Sequence, residues 1–461
     1  MNSSENSGIS RRELGKKVGQ IAAVSALAGV AIPSVHAAGD PTIQVVLIGC
    51  GGRGTGAAAN ALGAKGVQPK LIAMADVFKD RLNTSYNALS HNRQVSDKMD
   101  VPPERRFIGF DAYKKAMDCL RPGDVAIFTT PLAFRWVFFE YAISKNLNVF
   151  MEKPLSADGF ASRQLLKLNE QAKAKNLKVG VGLMSRHAKH LEELKNRIDD
   201  GQVGDIILMR GYRMAGQVGT FASPTKPEDV TDLEYQIRRF HSFLWAGGGC
   251  FSDFNIHIID HLCWMKGAWP VKAMGVGGRH YKTTYDGVPY VDQNFDSYGV
   301  EYTFPDGTKL LFDGRCIEGA GTMYSSYVHG TKGFGVASRI GDCGDPSSIY
   351  KGTAETKDNK IWQSADHTDP YANEWDALMD AIVNNKPYNE VERGVQASVT
   401  TSMGRMSAHT GQEITFEQML NSEHVFAPDV ATLNYDAPAP LKPNSKGFYP
   451  RPQPGMKKTE Y

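Results

Sequence analysis

The chain of 461 residues has no CxxC pair, no internal repeat and no excess of charge of one sign. Its six cysteines, Cys50, Cys119, Cys250, Cys263, Cys316 and Cys343, are scattered. That spacing excludes a zinc ribbon and a disulfide-dense scaffold, and leaves room for one or two bridges that sequence cannot pair. Lys plus Arg number 52 against 50 for Asp plus Glu, so no chain-wide field gathers nucleic acid or anionic lipid. Hydrophobic residues at 41% and charged residues at 22% exclude a disordered chain and a membrane-embedded body. The length exceeds the roughly 250 to 300 residues that one core supports, so two lobes meeting at a cleft are expected.

The first forty residues read as an address. Ser10-Arg11-Arg12-Glu13-Leu14-Gly15-Lys16 precedes an apolar stretch from Val18 to Ile32 and a small-residue site at Val35-His36-Ala37. Basic, apolar and cleavage regions in that order form a secretory signal over residues 1–37, and the paired arginines point to the twin-arginine route. A plain N-terminal anchor helix is the competing reading, although the apolar run is short of the roughly 20 residues a bilayer span needs. No cysteine follows, so a soluble periplasmic product is expected.

Ile43 to Ile48 is a β-branched run of the kind found in buried central strands, and it leads into Gly49-Cys50-Gly51-Gly52-Arg53-Gly54. This satisfies G-x-G-x-x-G, whose glycines permit a tight turn, backbone approach to a pyrophosphate and close helix packing. The phosphates then rest on the helix that starts near Arg53. A second apolar strand, Lys70 to Ala75, ends in Asp76, placed to accept hydrogen bonds from an adenosine ribose and to repel a 2'-phosphate. NAD is therefore favoured over NADP. Alternation continues through a strand ending at Thr130-Pro131, a helix from Trp136 to Lys145 and a strand Asn148 to Met151. Strand ends face the ligand crevice in such sheets, so Thr130, Pro131, Glu152 and Lys153 join the expected cofactor contacts.

Two segments carry candidate chemistry. Glu152-Lys153-Pro154 delivers a cation beside the expected nicotinamide, where it can hold a substrate oxygen and assist its proton transfer. The alternative is a surface lysine in a turn. In Gly247-Gly248-Gly249-Cys250-Phe251-Ser252-Asp253-Phe254-Asn255-Ile256-His257, Asp253 and His257 share one helical face. Histidine is a natural base near neutral pH and a carboxylate orients it; a core histidine satisfied by an aspartate is the plainer reading. Asp253, His257 and His261 also have the spacing of three metal ligands, but no further Cys/His pattern supports a metal, and none is expected. Arg186 and His187, at another sheet edge, are second-rank substrate contacts, with His261. Phe240, Phe243 and Trp245 are placed either to stack on a sugar ring or to fill the core.

Taken together and in this order, the fingerprint, Glu152-Lys153-Pro154 and the glycine-led Asp253-x-x-x-His257 segment resemble the glucose-fructose oxidoreductase, inositol dehydrogenase and MocA family over residues 41 to 422. Tyr371 to Leu420 resembles the ending of its secreted, twin-arginine-signal members. The resemblance implies an α/β fold: a Rossmann domain, here 41–178, and a C-terminal α/β domain, here 179–432, on a large open, mostly antiparallel sheet. It implies NAD(P) bound in the first domain, with Lys153, Asp253 and His257 flanking a sugar or polyol substrate. Two departures stand out. Leu132-Ala133-Phe134-Arg135 follows Pro131 where many relatives carry a histidine, and Asn255 replaces a glycine. A branch of the family cleaves glycosides with retained NAD, but its usual Tyr-Pro-Thr-His segment is absent. Net dehydrogenation is ranked first, redox-neutral glycoside cleavage second, and a non-catalytic periplasmic sugar-binding protein third.

Residues 204–215, 271–280, 295–304, 308–317 and 323–339 alternate as antiparallel strands do, and their broad sheet is a candidate homo-oligomer surface. Ser223 to Arg239 reads as a polar loop walling the substrate cleft. The proline-rich tail, 433–461, is expected to be an extended strap or disordered.

Overall fold

The computed structural model describes residues 42–344, 346–365 and 368–461, so the 1–37 address segment lies outside the described residues. Six short strands, β1 (Thr42–Ile48), β2 (Gln68–Asp76), β3 (Arg106–Ile108), β4 (Val125–Phe128), β5 (Asn148–Met151) and β6 (Val179–Val181), form a parallel sheet in the order β3-β2-β1-β4-β5-β6. Val45–Ile48 of β1 and all of β4, the central members, are apolar and buried because helices cover both faces, which removes the alternation seen in half-exposed strands. Strand order reverses between β1 and β4, and that switch point opens a crevice at the carboxyl ends. Gly49 turns the chain there with φ of +96°; an added Cβ would lie 2.7 Å from the Thr130 nitrogen.

The second sheet has nine strands: β7 (Ile206–Ala215), β8 (Lys272–Gly278), β9 (Ser297–Thr303), β10 (Lys309–Cys316), β11 (Met323–Gly330), β12 (Gly333–Ser338), β13 (Ser348–Lys351), β14 (Lys360–Gln363) and β15 (Ile414–Thr415). They run in the order β14-β13-β12-β11-β7-β10-β9-β8-β15, and every pairing is antiparallel except β7 with β10. The stretch 323–339 contains two of these strands, joined at Thr331-Lys332. One face carries the buried helices Gly249–Lys266 and Val391–Thr410. Contact is close because the strand side is stripped down: a Cβ at Gly211 would lie 2.7 Å from Ile258.

The helix Pro370–Val383 returns to the first sheet. Trp375 stacks on Phe150 at 4.4 Å, and Leu378, Met379 and Ile382 share a core with Ile43, Val45 and Leu47. The first layer thus takes one of its covering helices from far down the chain. The polar stretch 223–239 ends in a helix, Asp232–Arg238, started by a capping box of Thr231 and Glu234. Beyond Thr432 there is no helix or strand, yet the tail is a fitted strap: Leu441 and Tyr449 are buried, and Tyr449 Oη donates to Asp232 at 2.9 Å.

Candidate active site

At the crevice lies a cavity of about 450 Å³. Its floor is the Gly49–Gly54 turn, Asp76, Phe78, Thr130 and Pro131; its roof is Gly219, Thr220, Ile237, Arg238, Phe240 and His241. Gly51 and Gly52 face open space, with nothing within 4 Å of an added Cβ. Gly54 instead packs against the turn, 2.1 Å from the Gly49 oxygen to its would-be Cβ. The helix Gly52–Gly63 starts with no side-chain cap, so its first N–H groups are free for an anion, as a dinucleotide pyrophosphate requires. Asp76 accepts from the Cys50 and Phe78 N–H groups at 2.6 and 2.8 Å. Burial raises its pKa, and those two bonds only partly oppose it.

Arg53 and Glu152, both expected to touch the cofactor, turn out to be partners of each other. The Arg53 guanidinium pairs with the buried Glu152 carboxylate, reaches Glu374 at 3.7 Å and lies over the Tyr371 ring at 4.6 Å. These carboxylates offset much of its charge, although Arg53 still lines the cavity. Arg135, the last residue of the Leu132–Arg135 segment in which many relatives carry a histidine, is buried and donates to the Glu152 carbonyl at 2.9 Å and to Thr130 Oγ1 at 3.2 Å. Burial brings its pKa down to about 10, while Glu152 and Asp253 hold the charge in place. It ties together the ends of β4 and β5.

Lys153 meets Asp253, the carboxylate expected from the sequence to orient His257. Lys153 Nζ donates to the Asp253 carbonyl at 2.6 Å and to its Oδ1 at 3.1 Å. The other carboxylate oxygen lies 3.5 Å from His241 Nε2, a residue that sequence reasoning missed. The Thr220 N–H donates to His241 Nδ1 at 3.2 Å, so Nδ1 is the acceptor nitrogen and Nε2 carries the proton facing Asp253. Burial lowers the His241 pKa, keeping that neutral tautomer. Burial acts to raise the Asp253 pKa, but Lys153 and His241 outweigh it and hold the group below the usual carboxylate range. His257, one turn further along the same helix, is buried, and its Nδ1 has no hydrogen-bond partner among the described residues. Burial, reinforced by the Lys153 and Arg213 cations, pushes its pKa well below 6.5.

Four second-rank candidates are corrected. Arg186 forms a two-point pair with buried Asp260 at 2.9 and 2.7 Å, and His187 faces Glu390 at 3.2 Å. His261 Nε2 meets Ser326 Oγ at 2.8 Å, and burial drives its pKa to about 4. Trp245 is 1% exposed with Nε1 donating to Gln236, so it fills the core and presents no face to a sugar. In each case a polar atom found an internal partner, as most buried polar groups do. Among the described residues no group of three or more His, Cys, Asp or Glu side chains is arranged to hold a metal ion.

No family model matches the chain. The inositol 2-dehydrogenase of Rhizobium meliloti (strain 1021) is 24% identical over 272 residues, 59% of this chain and 73% of that one. The crystal structure of scyllo-inositol dehydrogenase from Lactobacillus casei with bound NAD(H) and scyllo-inositol is similar over 82% of this chain and 99% of that one, with TM-score 0.59 and 20% identity. Levoglucosan dehydrogenase, in complex with NADH and levoglucosan, matches 82% of this chain and 100% of that one, with TM-score 0.61 and 16% identity. These likenesses establish the two-sheet α/β fold.

Proposed function

We propose that the chain belongs to the glucose-fructose oxidoreductase, inositol dehydrogenase and MocA family and is an NAD-dependent oxidoreductase acting on a hydroxyl or keto group of a sugar, polyol or glycoside. One observation carries the reading: the Lys153–Asp253 pair stands at the same strand-end edge as an open, glycine-floored cavity. NAD, when bound, supplies the hydride acceptor. Gly51, Gly52 and the uncapped helix start would hold its pyrophosphate, and Asp76 its ribose, which disfavours a 2'-phosphate. The Lys153 ammonium holds the substrate oxygen, Asp253 orients that ammonium, and neutral His257 accepts the hydroxyl proton. The test is a panel of polyols, sugars and glycosides with added NAD: a cognate polyol or sugar reduces NAD stoichiometrically.

A second reading is favoured by the roof. Arg238 of the roof pairs with Asp80 at 3.0 Å through both nitrogens, so the roof is tied to the opposite wall of the nucleotide cavity. A retained cofactor suits redox-neutral glycoside cleavage, in which product forms without net NAD turnover. A non-catalytic sugar-binding protein is the third reading, and it requires ligand binding indifferent to loss of Lys153 or His257.

We further propose export to the periplasm by the twin-arginine segment, tested by cell fractionation with Arg11 and Arg12 replaced by lysine. Homo-oligomerisation through the outer face of the second sheet follows from the exposed Met274, Val276 and Leu311, and light scattering tests it.

A further inference from the structure

The helix that carries Asp253 begins in a poor place to be held accurately. Gly248 and Gly249 are both left-handed, with φ of +73° and +74°; the N-cap glycine has no side chain to offer, and only Asn294 Oδ1, accepting from the Cys250 N–H at 3.2 Å, caps the helix start. Glycine-rich entries carry the largest backbone freedom, so something outside the segment must fix it. Arg405 does so. Its Nη1 donates to the Gly248 carbonyl at 2.8 Å and to Ser252 Oγ at 3.0 Å, the residue directly before Asp253. Its Nη2 donates to the Ala157 carbonyl at 2.7 Å, four residues past Lys153. Glu460, from the tail strap, takes the remaining donors: Nε at 2.8 Å and Nη2 at 2.9 Å. All five guanidinium N–H donors are thereby matched.

The assembly is sealed, with Arg405 at 0% and Glu460 at 2% exposure. His409 Nδ1 lies 2.8 Å from Glu460 Oε1, and Tyr298 Oη lies 2.8 Å from His409 Nε2, so the carboxylate is oriented from behind as well. A simple charge-neutralising pair needs neither the carbonyls of two distant segments nor a second support behind the acid.

We propose that Arg405, oriented by Glu460, is a positioning residue that sets the Lys153 segment against the Asp253 helix. The tail strap is then part of the catalytic framework. This rests on the functional reading above for its kinetic consequence only; the geometric consequence is independent of it.

The test uses the full chain with Glu460→Gln and Arg405→Lys, plus His409→Asn as a milder variant that leaves the Arg405–Glu460 fork intact. In folded Glu460→Gln we expect kcat to drop by about ten- to a hundredfold. NAD affinity stays unchanged, because the glycine turn and Asp76 make no contact with this cluster, and the pH profile of kcat/KM shifts as the Lys153–Asp253 pair loosens. Amide exchange at Gly248–Asp253 and Leu155–Ala157 quickens, a readout that needs no turnover and survives if the wild type proves inactive on every substrate. His409→Asn gives the same pattern at smaller amplitude and decides the matter if the stronger variants do not fold. Folded variants with wild-type kcat, pH profile and exchange, and only a lowered Tm, would overturn the proposal.

Discussion

Lys153 and Asp253 are joined twice, through the aspartate's carbonyl at 2.6 Å and its carboxylate at 3.1 Å, although they lie a hundred residues apart and on different sheets' connections. The lysine head is therefore aimed by the helix and not by its own flexible stem. Lys153→Ala should lower kcat by roughly 10²- to 10⁴-fold, the range for a positioned acid or base group. Asp253→Asn should fall less far, since it keeps the backbone carbonyl. Calorimetric titration with NAD should show both variants binding nucleotide like the wild type; a parallel loss of binding would place the pair in the cofactor site instead.

The glycines of the turn divide into two kinds, and substitution separates them. Gly54→Ala puts a Cβ 2.1 Å from the Gly49 oxygen, so the helix must move and thermal stability should fall by about 1 to 3 kcal/mol. Gly51→Ala meets no protein atom within 4 Å and has an ordinary φ of −75°, so Tm should hold while the methyl group intrudes on the cavity. Its expected signature is weaker NAD binding with an unchanged melting curve.

The depressed His257 pKa has a definite sign in both activity and stability. A base must be neutral to accept a proton, so the acid limb of kcat/KM should fall at a midpoint below 6.5. Because the folded value lies below the unfolded one, stability is complete above about 6.5 and declines as pH drops toward the folded value, where only the unfolded chain takes up the proton. His257→Gln should lose most activity and also flatten the dependence of Tm on pH between 6.5 and 5; a wild-type pH slope in that variant would remove the histidine from the account.

Trp245 provides a control on the substrate site. With Nε1 bonded to Gln236 and the ring packed on Phe134, Trp245→Phe should cost about 1 to 3 kcal/mol, mostly from a buried Gln236 left unpaired. The KM for a cognate sugar should stay within about twofold, since the buried ring does not line the cavity. A selective rise in KM would restore the stacking role that the packing denies it.

Four strands of the parallel sheet were legible because they are short, apolar and bounded by turn chemistry, and Asn148 to Met151 was read to the residue; the three-residue edge strand Arg106–Ile108 carries no such pattern. Lys153, Asp253 and the glycine turn were legible because unusual residue types sit just past strand ends and in the first turns of a helix. His241 was not, since its role depends on the Thr220 N–H and on Asp253, contacts set by the fold of a loop without periodicity. Arg135 was noticed only within a segment that lacks a histidine. Arg186, His187 and His261 misled for a related reason: a polar residue near a sheet edge looks the same in sequence whether its partner is a ligand or, as here, Asp260, Glu390 and Ser326. The tail's composition fitted a strap or a disordered end equally well, and the burial of Leu441, Tyr449 and Glu460 settles it as a strap.

The central claim is hydride transfer between a sugar or polyol carbon and NAD at the edge held by Lys153. It is tested most directly by incubating the protein with NAD and a panel of polyols and sugars deuterated at their carbinol carbons, then measuring the dinucleotide by mass spectrometry. We predict one deuterium on the nicotinamide with a cognate substrate, appearing at least about 10²-fold more slowly with Lys153→Ala or His257→Ala. Unlabelled dinucleotide across the panel, from wild-type protein that demonstrably binds NAD and the substrates, would contradict it.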